Sequence, residues 1–219
     1  MSDPSRSSAS PKSEPYAELE PRALPVQKRA KDTVGLILET AAELVDEVGV
    51  IAFTTNLLAQ RAGIRIRTIY RYFPNKVGIL RALLLHLNQE SDAQMGPFAL
   101  LADRERDWRG LVDFWVDDLT AWSRNRPGAR LIMGWAYAIP ELLVEQERLN
   151  KSWTQDMMRA LRERGLQIPD KQLYAVCRTF IEMLDTLSIL TSTHIDEHSD
   201  DIVEEQRLGL KAYLTTYLD

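Results

Sequence analysis

The segment from Thr54 to Lys76 constrains the fold of this chain more than any other part of its sequence. Thr54 is placed to cap a short helix, and Gly63 follows that helix where a left-handed residue lets the chain turn. The inward face of this helix is predicted to carry Leu57, Leu58 and Ala62. A second short helix is predicted over about residues 66–72. Two short helices joined by a glycine-containing turn make a helix-turn-helix, whose second helix enters the major groove of DNA.

Basic residues are concentrated in and around this segment. Between Glu47 and Glu90 the chain has six Arg or Lys residues and no Asp or Glu, although its formal net charge is −5 at pH 7. A local basic surface on an acidic protein favours a polyanionic partner. The planar donor fork of arginine suits guanine edges and phosphates, so the sequence predicts a DNA-binding surface.

From about Val34 to Leu84 the sequence resembles the DNA-binding domain of the TetR/AcrR family of transcriptional regulators. The matching residues are Thr54, Thr55, Leu58, Ala59, Ala62, Gly63, Ile64, Thr68, Ile69, Tyr70, Tyr72, Phe73, Asn75 and Lys76. The resemblance implies that phosphates are held by Thr55, Asn56, Tyr70, Tyr72 and Lys76, and that base edges are faced by Ile66, Arg67 and Thr68. The charge of Arg65 and Arg71 places them in the predicted DNA-binding set as well.

Two residues depart from the family pattern. Arg65 stands where the family usually has a small capping residue such as Ser, so the second helix should lack a side-chain cap. Arg67 stands where Gly, Ser or Pro is common and adds a long cation to the predicted reading surface. For this reason the DNA sequence bound by other family members cannot be transferred to this chain.

The hydrophobic periodicity predicts an all-α fold with an N-terminal three-helix helix-turn-helix domain and a larger C-terminal helical domain. The predicted units are a disordered arm over residues 1–30, the DNA-binding domain over 31–78, and a ligand-binding and dimerisation domain over 79–219. The arm contains five of the ten prolines and almost no large apolar side chains. Its basic end, from Lys28 to Lys31, is either simply solvated or in contact with the DNA backbone or minor groove.

Helix boundaries are predicted from capping residues and breakers. The first helix should be capped by Asp32 or Thr33 and end at Gly49, with an apolar face formed by Leu36, Ile37, Thr40, Ala41, Leu44, Val45 and Val48. Asn75 should cap a longer helix whose inward residues are Ile79, Leu80, Leu83, Leu84 and Leu87. Ser199 should cap the last helix.

Aromatic and sulfur-containing side chains are concentrated in the larger domain, where they predict a pocket for a small, largely apolar effector. The predicted lining residues are Trp115, Trp122, Met133, Trp135, Trp153, Met157, Phe180 and Met183. The alternative is that these side chains only form the core. Four acids, Asp117, Asp118, Glu182 and Asp185, become informative if buried, since a carboxylate in an apolar cavity needs a partner such as a cationic ligand.

No catalytic, cofactor-binding or metal-binding motif is recognisable in the sequence. His194 and His198 have metal-ligand spacing but fall in a predicted interhelix loop, and Cys177 lies on an apolar stripe that favours inert packing. The competing interpretation is a helical-bundle enzyme or small-molecule carrier with an incidental helix-turn-helix. A further alternative is a DNA-binding regulator that has no small-molecule sensor.

The predicted partners are an inverted-repeat operator in double-stranded DNA, a small-molecule effector and a second copy of the chain. One short recognition helix contacts too few base pairs to specify a site, so a homodimer is expected, formed through the last two helices. The sequence shows no apolar run long enough to cross a membrane and no signal peptide, which predicts a cytoplasmic protein.

Overall fold

The computed structural model describes residues 28–95, 98–193 and 198–219. Within these ranges every regular element is helical, which confirms the all-α prediction. The α-helices are α1 (Lys28–Ala52), α2 (Thr55–Arg61), α3 (Ile66–Tyr72), α4 (Lys76–Met95), α5 (Trp108–Asn125), α6 (Ala129–Ala136), α7 (Pro140–Arg164), α8 (Asp170–Thr193) and α9 (Ser199–Leu218). A short 3-10 helix, Phe98–Ala102, follows α4 and packs on α7. Most of the predicted arm lies outside the described residues.

Helix α1 differs from its predicted form at its start and on part of its apolar face. It is already helical at Lys28, so the predicted cap at Asp32 or Thr33 is wrong, and the Thr33 hydroxyl instead donates to the Arg29 carbonyl at 2.8 Å. Leu36 and Val48 were predicted to face inward but are exposed. The predicted break at Gly49 is confirmed, because this residue has a φ of 77°.

Helices α1 to α4 pack together as the N-terminal part of an apolar core that continues into the later helices. All five predicted inward residues of α4 are buried, and Asn75 caps this helix by accepting a hydrogen bond from the Gly78 amide at 2.9 Å. The core also includes Phe53, Leu58 and Phe73. Leu57 was predicted to face inward in α2 but is 41% exposed, because Leu58 and Ala59 form the buried face of this short helix.

The larger domain is built around the apolar faces of α5, α7 and α8. Trp115, which is fully buried, has its ring centroid 4.8 Å from Phe98 and 6.2 Å from Phe180. At the end of the chain, Ser199 is the first residue of α9 rather than its cap, and His198 at the cap position makes no side-chain capping bond. Among the described helices, none is both long and apolar enough to span a membrane.

Two of the first four helices, α1 and α4, pack against α5, α6 and α7 at the boundary between these four helices and the rest of the fold. We call this boundary the seam. Across it, the Arg81 Nε of α4 donates to Glu145 Oε1 of α7 at 2.9 Å, with both side chains largely buried. Arg126, in the turn before α6, makes paired hydrogen bonds to Glu39 of α1 and to Glu90 of α4.

A close backbone contact completes the seam. Gly128 has a φ of 75°, and a Cβ atom at this position would lie 2.8 Å from the carbonyl oxygen of Ala42 in α1. Only a residue without a side chain adopts this conformation at this separation without strain. Helix α6 is therefore held directly against α1.

Candidate nucleic-acid interface

The turn between α2 and α3 is built from local interactions. Thr54 caps α2, since its hydroxyl oxygen accepts from the Leu57 amide at 3.2 Å, as predicted. After α2, the amide of Ile64 donates to the carbonyl of Ala59 at 3.1 Å, and that of Gly63 donates to the carbonyl of Gln60 at 3.2 Å. Gly63 has a φ of 64°. This pair of bonds is the Schellman arrangement that ends a helix at a left-handed glycine.

Three arginines project into solvent from α3 and from the residue that precedes it. Arg65, Arg67 and Arg71 are all exposed. Arg65 makes no side-chain capping bond, as predicted. In the described part of the chain, none of the three forms an ion pair. Arg71 instead lies over the Tyr72 ring at 4.8 Å and donates to its hydroxyl oxygen at 2.8 Å. The guanidinium groups of this surface are thus available to an anionic partner.

The other predicted DNA-binding residues surround these arginines in different environments. Asn56 and Tyr70 are exposed, and the Tyr70 hydroxyl lies 3.1 Å from the Thr55 hydroxyl, which ties α3 to α2. Tyr72 is only 4% exposed, so its ring belongs to the core and its hydroxyl positions Arg71. Ile66 and Thr68 are partly buried on the first turn of α3.

Lys76 lies at the start of α4, near the end of α1. Its Nζ donates to the Ile51 carbonyl at 3.1 Å and lies 5.9 Å from the centroid of the Phe53 ring. Partial burial lowers the pKa of this ammonium group below its usual value. The side chain is therefore anchored beside α3 and is less free than the three arginines.

The structure places the eight predicted effector-binding residues in two kinds of environment. Trp135 lines a groove between α6 and α8, and Met183 lines a shallow depression on α8. The remaining six are packed in the core with exposures of 6% or less: Trp115, Trp122, Met133, Trp153, Met157 and Phe180. Trp153 also donates from its indole nitrogen to Asp92 Oδ1 at 2.8 Å. The structure brings the six together as a continuous aromatic and aliphatic core.

Several buried polar atoms on α4 and α5 have no hydrogen-bond partner within the described ranges. They are the side-chain amide atoms of Asn88, the hydroxyls of Ser91 and Thr120, and the indole nitrogen of Trp115. A buried polar group without a partner costs free energy, which a bound polar molecule or water would recover. Asn88 also lines a cavity of about 240 Å³ between α4 and α7.

A buried polar network lies beside α8, and sequence reasoning recovered only part of it. The Tyr137 hydroxyl donates to Asp185 Oδ2 at 2.7 Å, and Gln146 Nε2 donates to the same oxygen at 3.1 Å. Burial, opposed by these hydrogen bonds, raises the pKa of Asp185 to about 6. Asp185 is one of the four acids for which the sequence predicts a need for a partner if the carboxylate is buried. Tyr137 and Gln146 were not predicted as site residues, because they lie 48 and 39 positions from Asp185 in the sequence and no motif connects them.

Within the described ranges, the carboxylates that could bind a metal are already paired, and the single cysteine is buried. Glu39, His86 and Glu90 have ligand atoms within 4.8 Å of one another, but Arg126 already pairs with both carboxylates. These hydrogen bonds raise the pKa of Arg126 and lower that of Glu39. His194, one of the two histidines with metal-ligand spacing, lies outside the described residues. Cys177 is buried, which raises its thiol pKa to about 12 and disfavours the reactive thiolate.

Comparison with known proteins agrees with this geometry. Residues 37–83 match the family model described as bacterial regulatory proteins, tetR family. The nucleoid occlusion factor SlmA of Vibrio vulnificus is 28% identical over 140 residues, which cover 60% of this chain and 67% of that protein. The class A tetracycline repressor protein from transposon 1721 of Escherichia coli is 31% identical over 107 residues, 48% of this chain and 47% of that protein.

The structural similarity extends well beyond the helix-turn-helix. A TetR-family transcriptional regulator from Streptomyces coelicolor is 29% identical and superposes with a TM-score of 0.64, covering 84% of this chain and 98% of that one. The matched helix-turn-helix, its exposed arginines and this shared two-domain helical fold lead to one conclusion. Residues 37–83 carry the N-terminal domain of the tetR family of bacterial regulatory proteins, and the chain has the fold of a DNA-binding transcriptional regulator.

Proposed function

We propose that this protein is a homodimeric repressor that binds an inverted-repeat operator and releases it when a small molecule binds the larger domain. The observation that carries the proposal is the exposed arginine surface of α3. Arg65 and Arg67 reach solvent without an acidic partner in the described ranges, on a short helix held in place by a capped neighbour. Such a helix matches the dimensions and the donor pattern of a major groove.

The side chains around this surface divide into two proposed roles. Arg67, with Ile66 and Thr68, is proposed to face base edges, because these residues occupy the first turn of α3. Arg65 and Arg71 are proposed to bind phosphate or guanine, and Tyr72 acts through Arg71. The remaining phosphate contacts are assigned to Thr55, Asn56, Tyr70 and Lys76. Their hydroxyl, amide and ammonium groups suit phosphate oxygens, which fix the register without specifying sequence.

Dimerisation is proposed to occur through α8 and α9. These helices expose large apolar side chains, namely Tyr174 on α8 and Ile202 and Leu208 on α9. Apolar faces on two adjacent helices suit a symmetric four-helix bundle, in which each copy covers the faces of the other. Two α3 helices related by a dyad would then read two half-sites in inverted orientation.

Communication between effector and DNA is proposed to cross the seam. Helix α4 runs from the DNA-binding unit into the larger domain and is tied to α7 by the Arg81 to Glu145 bond. An effector that tilts α4 would change the separation of the two α3 helices, so that both no longer fit successive major grooves. Effector and DNA would then weaken each other's binding by the same factor. The name of the related tetracycline repressor supports a role of this kind.

Selection of bound fragments from a random DNA pool, at about physiological salt, tests the proposal. We expect recovery of an inverted repeat whose half-sites are separated by one or more helical turns, each of about 10 base pairs. Recovery of single, unrepeated sites would exclude the dimeric mode. Enrichment of no sequence would leave the helical-bundle enzyme or carrier as the better interpretation.

A second candidate is a DNA-binding regulator without a small-molecule effector. The name of the SlmA relative, a nucleoid occlusion factor, favours this alternative. The two candidates differ in whether any small molecule weakens operator binding. A thermal-shift screen followed by titration of the operator complex separates them, because a ligand that binds the folded state raises the melting temperature.

A further inference from the structure

A groove of about 460 Å³ lies on the larger domain between α6 and α8. Its volume falls in the range of about 300–1,000 Å³ that is usual for small-molecule sites. The rings of Trp135 and Tyr137 line the groove. The other apolar lining residues are Leu131, Ala138, Ile189 and Leu190. A lining of this kind, with a few polar atoms, is typical of a site for an organic molecule.

A buried acid lies directly behind one of these rings. Asp185 is 2% exposed and does not line the groove, but the hydroxyl of Tyr137, which does, donates to its Oδ2 at 2.7 Å. Among the described residues, no nitrogen of Lys, Arg or His forms an ion pair with Asp185. Arg178 lowers the pKa of Asp185 through its charge, but its guanidinium is paired with Glu147 and Glu182. The negative charge behind the groove is therefore incompletely balanced.

This arrangement distinguishes between classes of ligand. Because the Tyr137 hydroxyl donates its proton to Asp185 and accepts a hydrogen bond from Asn150 at 3.3 Å, its oxygen has no proton left to offer a ligand. The faces of Trp135 and Tyr137 attract cations through their negative electrostatic potential. An anionic ligand would meet these rings and a buried carboxylate, whereas a neutral apolar ligand would gain only from the area it buries.

One cationic side chain also lines the groove, and its positive charge disfavours a cationic ligand. Arg130 lies at the edge formed by α6, and its guanidinium is 3.5 Å from Asp46 of α1. Its charge is partly balanced by that contact, while its stem contributes apolar surface. The same contact connects the groove to a helix of the DNA-binding domain.

We propose that the groove between α6 and α8 binds a lipophilic organic cation, with its positive group held by Trp135 and Tyr137 in front of Asp185. This names the chemical class of the effector and so rests on the proposed function. The route to DNA is short, because α6 packs on α1 at Gly128 and through Arg130. A ligand that separates α6 from α8 would thus act on the helix that supports the reading unit.

The test is calorimetric titration of the full chain, without DNA, using a matched pair of probes. Benzyltrimethylammonium carries the positive charge, and neopentylbenzene has the same shape without it. We expect the cation to bind at least about tenfold more tightly, from its contacts with two aromatic faces and a nearby carboxylate. Trp135→Leu and Asp185→Asn should each reduce this ratio, while Phe114→Leu, which removes an exposed aromatic ring on α5, should leave it unchanged.

Three results of the titration would contradict the proposal that the groove binds a cation. Equal affinities for the two probes, no measurable binding of either, or a cation preference that survives both substitutions would overturn the proposal. If Asp185→Asn fails to fold, the partly buried Trp135 still provides the test through Trp135→Leu. Because the titration needs no DNA, a failed cation preference leaves the operator selection intact, and a failed selection leaves the titration interpretable.

Discussion

The arginines of α3 and the arginines of the seam are the same residue type in opposite situations. Arg65 and Arg67 are exposed and have no acidic partner in the described ranges. Arg81 and Arg126 are largely buried, and each is paired with a carboxylate from another helix. The first pair is available to a partner outside the protein, whereas the second pair joins α1 and α4 to the helices that pack against them.

This difference shows that counting basic residues along the sequence overestimates how many of them are available to bind DNA. Of the six basic residues between Glu47 and Glu90, Arg61 pairs with Glu47 and Arg81 pairs with Glu145. Lys76 is anchored to a backbone carbonyl. The remaining three are Arg65, the N-cap residue of α3, and Arg67 and Arg71 within α3. Folding thus concentrates the available charge on the one helix that is proposed to enter DNA.

The largest effect is expected from breaking the seam at Glu145. Glu145→Leu should lower the free energy of unfolding by about 3–5 kcal/mol, because it leaves the Arg81 guanidinium buried without a counter-charge. Urea denaturation measures this loss. Asp156→Ala, which removes an exposed ion pair with Arg159 on the same helix, should cost less than about 1 kcal/mol. Equal losses for both variants would show that the seam pair is no more than a surface contact.

The next effect is a pH dependence that Asp185 imposes on stability. Its folded pKa of about 6 is above the ordinary value of 3.8, so the folded state binds more protons than the unfolded state between these pH values. Stability from this group is therefore lost as pH rises from about 4 to 6, by up to roughly 3 kcal/mol at 1.36 kcal/mol per pKa unit. The charged or titratable groups acting on it are Tyr137, Glu182 and Arg178.

Asp185→Asn should remove this component of the pH profile. Urea unfolding of both proteins at pH 4.5 and pH 7 measures it, and the variant should gain stability relative to the parent on going to the higher pH. An unchanged difference between the two proteins across this range would show that Asp185 has no raised pKa.

A smaller effect is expected from the close contact between α6 and α1. Gly128→Ala should destabilise the protein by about 1–3 kcal/mol, because it places a Cβ atom against the Ala42 carbonyl at a positive φ. Gly134→Ala, within α6 itself, places a Cβ that meets only a methyl carbon of Ile189 at 3.6 Å and should be neutral or stabilising. Thermal unfolding compares the two. Similar melting temperatures would mean that α6 is not held tightly at Gly128.

The smallest effect on stability is expected from a substitution in α3, which should instead change the preference for particular DNA sequences. Arg67→Ala should change the free energy of unfolding by less than about 0.5 kcal/mol, since its side chain is exposed and has no acidic partner. It should nevertheless relax specificity at one base position by about 1–3 kcal/mol. Lys76→Ala should weaken binding to all sequences alike and reduce the salt slope by about one. If both variants act alike on every sequence, Arg67 does not read a base.

Features set by neighbouring residues in the chain were predictable from the sequence. The caps at Thr54 and Asn75 and the left-handed turn at Gly63 depend on contacts within a few residues, and the buried face of α4 follows the helical spacing of its apolar residues. The helical conformation of residues 28–31 was missed because Asp32 and Thr33 are good capping residues, and the helix simply continues through them.

Features that depend on distant contacts were not predictable. Arg126 and Glu39 are 87 positions apart in the sequence, and Arg81 and Glu145 are 64 apart, so no local pattern connects them. The exposure of Leu57, Leu36 and Val48 likewise depends on which helices pack against each face. The groove between α6 and α8 needs both helices in place before Tyr137 and Asp185 meet.

The most direct test of the central claim is an anisotropy titration at about 0.15 M salt. It compares the inverted repeat recovered by selection with a scrambled duplex of the same composition. Reading of sequence by the exposed arginines of α3 predicts that the repeat binds at least about 1,000-fold more tightly. Equal affinity for the two duplexes would show that these arginines bind the phosphate backbone without reading sequence.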